Sequence, residues 1–96
     1  MIFFASLDNS LYALDADTGQ IRWSHATGDL IDSSPCVANG VACVGSYDRS
    51  LYALDAHSGT KLWSFGTGGG IISGPSVAHE HVYVGSDDGN LYAFGL

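Results

Sequence analysis

The sequence predicts an all-β chain, a partial β-propeller of four-stranded antiparallel blades with about two and a half blades in its 96 residues. Three observations lead there. The stretch LYALDADTGQIRW at 11–23 returns as LYALDAHSGTKLW at 51–63. Thr27, Gly28, Pro35 and Val44-Gly45-Ser46 likewise return forty positions later as Thr67, Gly68, Pro75 and Val84-Gly85-Ser86. A fixed period between roughly 20 and 50 residues marks a solenoid or propeller, whose units need neighbours to cover their apolar faces. The apolar runs within each period are about four to six residues long, too short for stable helices and close to the usual strand length. Finally, VACVG at 41–45 and LYAL at 51–54 are apolar on both faces, as in a sheet covered on each side. The outward face of a two-layer sandwich should be polar instead.

Taken in order, the runs predict ten strands, near residues 2–6, 10–15, 20–25, 33–38, 41–46, 50–55, 60–65, 73–78, 82–86 and 90–95. Turn chemistry separates them. Asn39-Gly40 is a two-residue hairpin signal, because both residues tolerate the positive φ of a type I′ turn. Tyr47-Asp48-Arg49-Ser50 is a polar turn whose later copy, Asp88-Gly89, indicates a left-handed position. DADTG and DAHSG form the third turn, with Gly19 and Gly59 able to close it. These breaks divide the chain into an incomplete blade (1–28), a complete blade (29–68) and a second incomplete blade (69–96), all in a single repeat domain. The first blade lacks its first strand and the last lacks its fourth.

Composition narrows the partners. The chain is 46% hydrophobic and 14% charged, which is globular and not disordered, and its net charge of −7 repels phosphate. Nucleic acid and anionic membrane surfaces are therefore not expected partners. No apolar run approaches the roughly 20 residues of a membrane helix, and no charged-then-apolar leader opens the sequence. Because the sequence opens within a repeat, its start says little about compartment.

The repeated motif Ala13-x-Asp15-x-x-Thr18-Gly19-x-x-x-Trp23, with its second copy Ala53-x-Asp55-x-x-Ser58-Gly59-x-x-x-Trp63, resembles the tryptophan-docking motif of pyrroloquinoline-quinone-type (PQQ-like) propeller repeats. The flanking SSPCV, SGPSV and VGSDDGNLYAF are similar to that family too, so the resemblance covers essentially the whole chain. It implies that the Pro-containing strand is innermost and the Trp strand is the rim. It also implies that each indole stacks on a neighbouring blade's docking loop, here the turns at 15–19 and 55–59. Ser58 stands where Thr is usual and keeps the hydroxyl. The third copy ends LYAFGL, with Gly95 in place of Asp and no docking loop. On this footing Trp63→Ala is expected to cost about 3 to 5 kcal/mol.

The resemblance spans quinone-dependent dehydrogenases and non-enzymatic scaffolds alike, such as the propeller lipoprotein of bacterial outer-membrane assembly. The enzyme form implies a ring of about eight blades, adjacent cysteines over the quinone, a calcium site and a catalytic Asp. Cys36 and Cys43 are seven residues apart. Across the Asn39-Gly40 hairpin they are cross-strand neighbours, as two packed thiols or, less in keeping with strand geometry, a disulfide. Asp8, Asp48 and Asp88 recur at one turn position and Asp15 and Asp55 at another, which points to turn capping. Asp87-Asp88-Gly89-Asn90 lacks the further oxygen ligands and distal Glu of a calcium loop. His79-Glu80-His81 offers two imidazoles and no third ligand, so a solvated hairpin loop is expected over a metal site. GTGGG at 66–70 lacks the Lys and Ser/Thr of a phosphate loop and reads as a flexible link between blades.

No catalytic, cofactor-binding or metal residue is therefore expected, and the named positions are structural docking residues. The expected function is a non-catalytic scaffold for protein partners. Its bare blade faces are completed by self-association, with a ring dimer of about six blades as the leading form, or by further repeats. Alternatives are a fragment of a PQQ-dependent dehydrogenase, for which PQQ and calcium are the cofactors, and a sensor propeller module of a receptor or kinase. The resemblance implies a periplasmic or otherwise extracytoplasmic setting.

Overall fold

A computed structural model describes residues 1–29, 31, 34–71 and 74–95. Among them lie ten strands and no helix: β1 (Ile2–Ala5), β2 (Ser10–Leu14), β3 (Ile21–Ala26), β4 (Cys36–Ala38), β5 (Val41–Gly45), β6 (Ser50–Asp55), β7 (Lys61–Gly66), β8 (Ser76–Ala78), β9 (His81–Gly85) and β10 (Leu91–Gly95). They form three antiparallel sheets in chain order: β1-β2-β3, β4-β5-β6-β7 and β8-β9-β10. The fold is an all-β partial propeller. β4 and β8 begin at Cys36 and Ser76, and the expected strand starts at Ser33 and Ser73 lie outside the described residues.

Register follows the turns. Asn39 and Gly40 take φ of 51° and 73°, the double positive φ of a type I′ turn, and this sets Cys36 opposite Cys43. The left-handed position of the second turn recurs at Asn9, Arg49 and Gly89, with φ of 70°, 75° and 86°. The β6–β7 pairing slips by one residue after Ala53, and the β2–β3 pairing slips at the same place after Ala13. Ala53 thereby faces Trp63 across the strands, and Ala13 faces Trp23. A small residue beside each indole leaves room for the ring.

Two cores lie between the sheets. Phe3, Ala5, Leu11, Ala13 and Trp23 of the first sheet meet Val44, Tyr52 and Leu54 of the middle sheet. The opposite face of the middle sheet, with Cys43, Leu51, Ala53 and Trp63, meets Val77, Val82, Val84, Tyr92 and Phe94 of the last. The middle sheet is thus apolar on both sides because both sides are covered.

The links between sheets are packed. A Cβ on Gly69 would come within 2.7 Å of the Asp88 backbone nitrogen, and one on Gly70 within 2.7 Å of the Tyr47 ring. The link expected to be flexible is instead pressed against the last sheet, and its glycines permit the close approach. It delivers Ile71, fully buried, onto Gly45, where a Cβ would sit 2.1 Å from Ile71 Cγ2.

Arg49 is a non-glycine residue held at left-handed φ, on the surface. Replacing it with Gly, which the repeat itself uses at position 89, should raise stability by about 0.5 to 1 kcal/mol and the melting temperature by about 4 °C. Arg49→Ala, which removes the charge and keeps the Cβ, should not reproduce the gain in a thermal melt.

Candidate functional site

Of the motif residues, Trp23 and the turn at 55–59 meet at the contact between the first and middle sheets. Asp15 and Asp55 follow strands β2 and β6 and organise identical turns. Asp55 Oδ1 accepts from the amides of His57 and Ser58 at 2.9 and 3.0 Å, and Asp15 Oδ1 from those of Asp17 and Thr18 at 2.8 and 3.1 Å. Gly59 and Gly19 close the turns with φ of 78° and 74°, each amide donating to its Asp carbonyl at 2.8 Å. Ser58 Oγ accepts from the Thr60 amide as Thr18 Oγ1 does from that of Gln20, so the serine does the work of the threonine. The backbone donors hold the carboxyls of Asp15 and Asp55 below the usual carboxylate range.

Trp23 of the first sheet reaches the second of these turns. Its Nε1 donates to the Ala56 carbonyl at 3.0 Å, and its ring occupies the space where a Gly59 Cβ would stand, 2.6 Å from Cδ2. The indole is 9% exposed. The equivalent places at the two ends are different. Trp63 is only half-buried, packs on Phe94 at a centroid distance of 5.4 Å, and its Nε1 has no hydrogen-bond partner among the described residues. Ala16 is exposed where Ala56 is buried, and a Cβ on Gly19 would meet nothing within 4 Å. The large energetic cost expected for Trp63→Ala therefore belongs to Trp23, the indole that has a loop beneath it.

A second inter-sheet contact was not anticipated by sequence. Asp8, Asp48 and Asp88 cap their turns, Oδ1 accepting from the amides of Ser10, Ser50 and Asn90 at 3.0, 2.9 and 2.9 Å. Each Oδ2 also accepts from the tyrosine hydroxyl four residues on, Tyr12, Tyr52 or Tyr92. Asp48 Oδ2 takes a further bond from the Gly28 amide at 2.9 Å, and Asp88 Oδ2 one from the Gly68 amide at 2.8 Å. Asp48 and Asp88 thereby each tie their own sheet to the link arriving from the previous one. The signal was present in the repetition of Tyr and Gly at the same forty-residue offsets, but only the folded chain shows that they meet.

The remaining candidates are accounted for locally. Cys36 and Cys43 stand opposite one another as free thiols, and burial with the neighbouring Cys36 pushes the Cys43 thiol up to about 11. His81 Nδ1 lies 2.8 Å from the His79 carbonyl within a hairpin turn, and His79 and Glu80 both take positive φ. Among the described residues no group of three or more His, Cys, Asp or Glu side chains is placed to hold a metal ion. Cys43 is buried between the middle and last sheets.

Residues 1–94 match the sequence profile of a family described as outer membrane protein assembly factor BamB. Among curated proteins none matches the chain at a significant level. Its fold is similar to that of BamB from Moraxella catarrhalis, with a TM-score of 0.84 and 20% identity over 97% of this chain. It is similar also to the quinohemoprotein alcohol dehydrogenase ADHIIG from Pseudomonas putida HK5 (TM-score 0.87, 24% identity, 97% of this chain). A third likeness is to the computationally designed Ika4 protein (TM-score 0.84, 17% identity, 96% of this chain). The chain spans 28%, 17% and 57% of those three structures.

Three outcomes are expected in experiment. Trp23→Ala should cost about 3 to 5 kcal/mol in denaturant unfolding and Trp63→Ala about 2 kcal/mol. Gly59→Ala, blocked by the ring as well as strained at its φ, should be markedly worse than Gly19→Ala, which meets only the φ penalty of about 1 to 2 kcal/mol. For pH, burial pushes the Tyr52 hydroxyl up to about 12, aided by the Asp48 carboxylate, and Cys43 up to about 11. Both folded values lie above the unfolded ones, so the neutral forms favour the folded state. That contribution is complete below about pH 9 and is lost as pH rises through 11 and 12. Alkaline unfolding monitored by circular dichroism should coincide with the onset of Cys43 alkylation, which should be slow in the folded protein at pH 8.

Proposed function

The chain belongs to the PQQ-like propeller-repeat family described as outer membrane protein assembly factor BamB, and from that premise we propose that it is a non-catalytic interaction scaffold that completes its propeller by association with further blades, first of all those of a second copy. The observation that carries this is the state of the two end faces. On the first sheet Ile2, Phe4, Tyr12 and Leu14 share the face turned away from the middle sheet, with Ile2 52% and Phe4 40% exposed. On the last sheet Tyr83, Leu91 and Ala93 share the outer face, and Leu91 is 75% exposed where its counterpart Leu51 is fully buried.

These two faces are the two halves of a contact the chain already makes twice. Inside the molecule, Val44, Tyr52 and Leu54 lie against Leu11 and Ala13. Val82, Val84, Tyr92 and Phe94 lie against Leu51 and Ala53 in the same sense. The bare first face carries the strand positions of Val44, Tyr52 and Leu54, and the bare last face carries those of Leu51 and Ala53. A head-to-tail contact repeats the internal one, and being heterologous it closes into a ring if the rotation suits.

A structural role is supported for five of the ten acidic residues, since Asp8, Asp15, Asp48, Asp55 and Asp88 all accept hydrogen bonds from turn amides. The docking role of Trp23 and the 55–59 turn, and an extracytoplasmic setting, belong to the same proposal by family. A dehydrogenase fragment is the second reading, favoured by the likeness to ADHIIG. Adding PQQ and calcium and finding bound-cofactor absorbance would support it over the scaffold.

Sedimentation velocity at micromolar concentration should give a dimer or larger closed species, and Leu91→Glu should shift it toward the monomer while leaving the circular dichroism spectrum unchanged. A monodisperse, folded monomer of 10.0 kDa in the unaltered protein would remove self-association from the proposal.

A further inference from the structure

Cys36 of β4 and Cys43 of β5 are opposed in register, and directly opposed residues of an antiparallel pair share one face of the sheet. Counted from the Asn39-Gly40 turn, theirs is a hydrogen-bonded pair, whose Cα separation of about 5.5 Å falls at the commonest spacing of a disulfide, about 5.5 to 6 Å. Both are free thiols in this structure.

The pair is a double departure from the repeat. In the last sheet the same two places hold Ser76 and Tyr83, a small residue beside a ring, and in the first sheet the counterpart of Cys43 is Phe3. Phe3, Cys43 and Tyr83 each face an alanine on the following strand, Ala13, Ala53 and Ala93, so the comparison is position for position. Those sheets form without sulfur at either place, and packing alone does not call for two thiols that meet.

The two thiols also differ in access. Cys43 is 1% exposed, enclosed with Leu51, Ala53, Ile71, Val82 and Val84, whereas Cys36 on the edge strand is half-buried. An external reagent reaches Cys36 first. We propose that Cys36 and Cys43 form a reversible redox site oxidised by an external low-molecular-weight disulfide, with Cys36 as the entry thiol and Cys43 as the resolving one.

In the first step the Cys36 sulfur, as thiolate, attacks one sulfur of the reagent. The reagent's S–S bond breaks, a mixed disulfide forms at Cys36, and the departing thiolate takes up the proton that Cys36 has lost. In the second step the Cys43 thiol loses its proton and its sulfur attacks that of Cys36. The Cys36–Cys43 bond forms, and the second reagent thiolate leaves and takes that proton. Two protein thiols are oxidised and one reagent disulfide is reduced to two thiols. Burial holds the Cys43 thiol in its protonated form, so the second step is the slow one.

What the bond changes is β4. That strand is only Cys36–Ala38, is joined to its sheet through β5 alone among the described residues, and has β8 of the next sheet against it. A cross-link at its first residue closes a small loop around the hairpin and removes the open states in which β4 detaches. The inner end of the junction between the middle and last sheets is then held shut in the oxidised chain and able to open in the reduced one.

This site goes beyond the scaffold function and does not rest on it. The test incubates the full chain with oxidised glutathione, quenches it in acid, alkylates it and weighs it by mass spectrometry, with hydrogen exchange measured on the oxidised and reduced forms. The expected product is a chain lighter by the two thiol hydrogens, with no cysteine left to alkylate, and restored by dithiothreitol. Its β4 amides should exchange at least about tenfold more slowly than those of the reduced chain. Cys43→Ser should stop at a glutathione adduct on Cys36, and Cys36→Ser should stay unmodified while folded. A folded chain that keeps both thiols in excess oxidised glutathione, carries glutathione on both, or cross-links to a second copy would overturn the proposal. So would modification of Cys43 in folded Cys36→Ser, or unchanged exchange at β4 in the oxidised chain. Mass and exchange are read on the unaltered protein, so the proposal stays open to refutation even where a variant fails to fold.

Discussion

Burial of each sheet's apolar surface against the next sheet is the constraint on which the rest of the structure depends. Strand pairing alone would leave every blade with a greasy face in water, and a four-stranded sheet of this size has no second layer of its own. The two cores formed by the middle sheet therefore hold the molecule together. Everything else described here sets the angle and closeness of that contact: the alanines opposite each tryptophan, the glycines in the links, and Gly45 beneath Ile71.

Polar contacts refine the same junction. Trp23 spans it with an apolar body and one donor that reaches the Ala56 carbonyl, an arrangement suited to a site that is dry on one side and structured on the other. The turn carboxylates Asp48 and Asp88 serve two elements at once, satisfying amides within their own turn and the amide of a link arriving from elsewhere. Because the indole and the carboxylates lie at separate places on the junction, they fix rotation as well as distance between sheets.

Much of this was legible from the residues in order. The forty-residue period placed all ten strands to within a few positions, and Asn39-Gly40 determined that Cys36 and Cys43 would be opposed, because hairpin register is a local property of two turn residues. What could not be read was whatever depends on the approach of one sheet to another. The glycines at 68–70 look like slack in a linear string, and only the proximity of Asp88 and Tyr47 makes them a tight fit. Likewise Trp23 and Trp63 are indistinguishable by motif, yet one has a turn beneath it and the other has Phe94. At 79–80 the left-handed turn is made by His and Glu, where turn chemistry would have called for Asn and Gly.

The carboxylate bonds to Gly28 and Gly68 also bear on how the molecule comes apart. Each bond joins one sheet only to its predecessor, so the junctions are nearest-neighbour couplings and the chain behaves as a short one-dimensional lattice. Melting an outer sheet severs one coupling, whereas melting the middle one severs both. A destabilising lesion in the middle sheet therefore weakens two junctions of the chain at once, where the same lesion in an outer sheet weakens one.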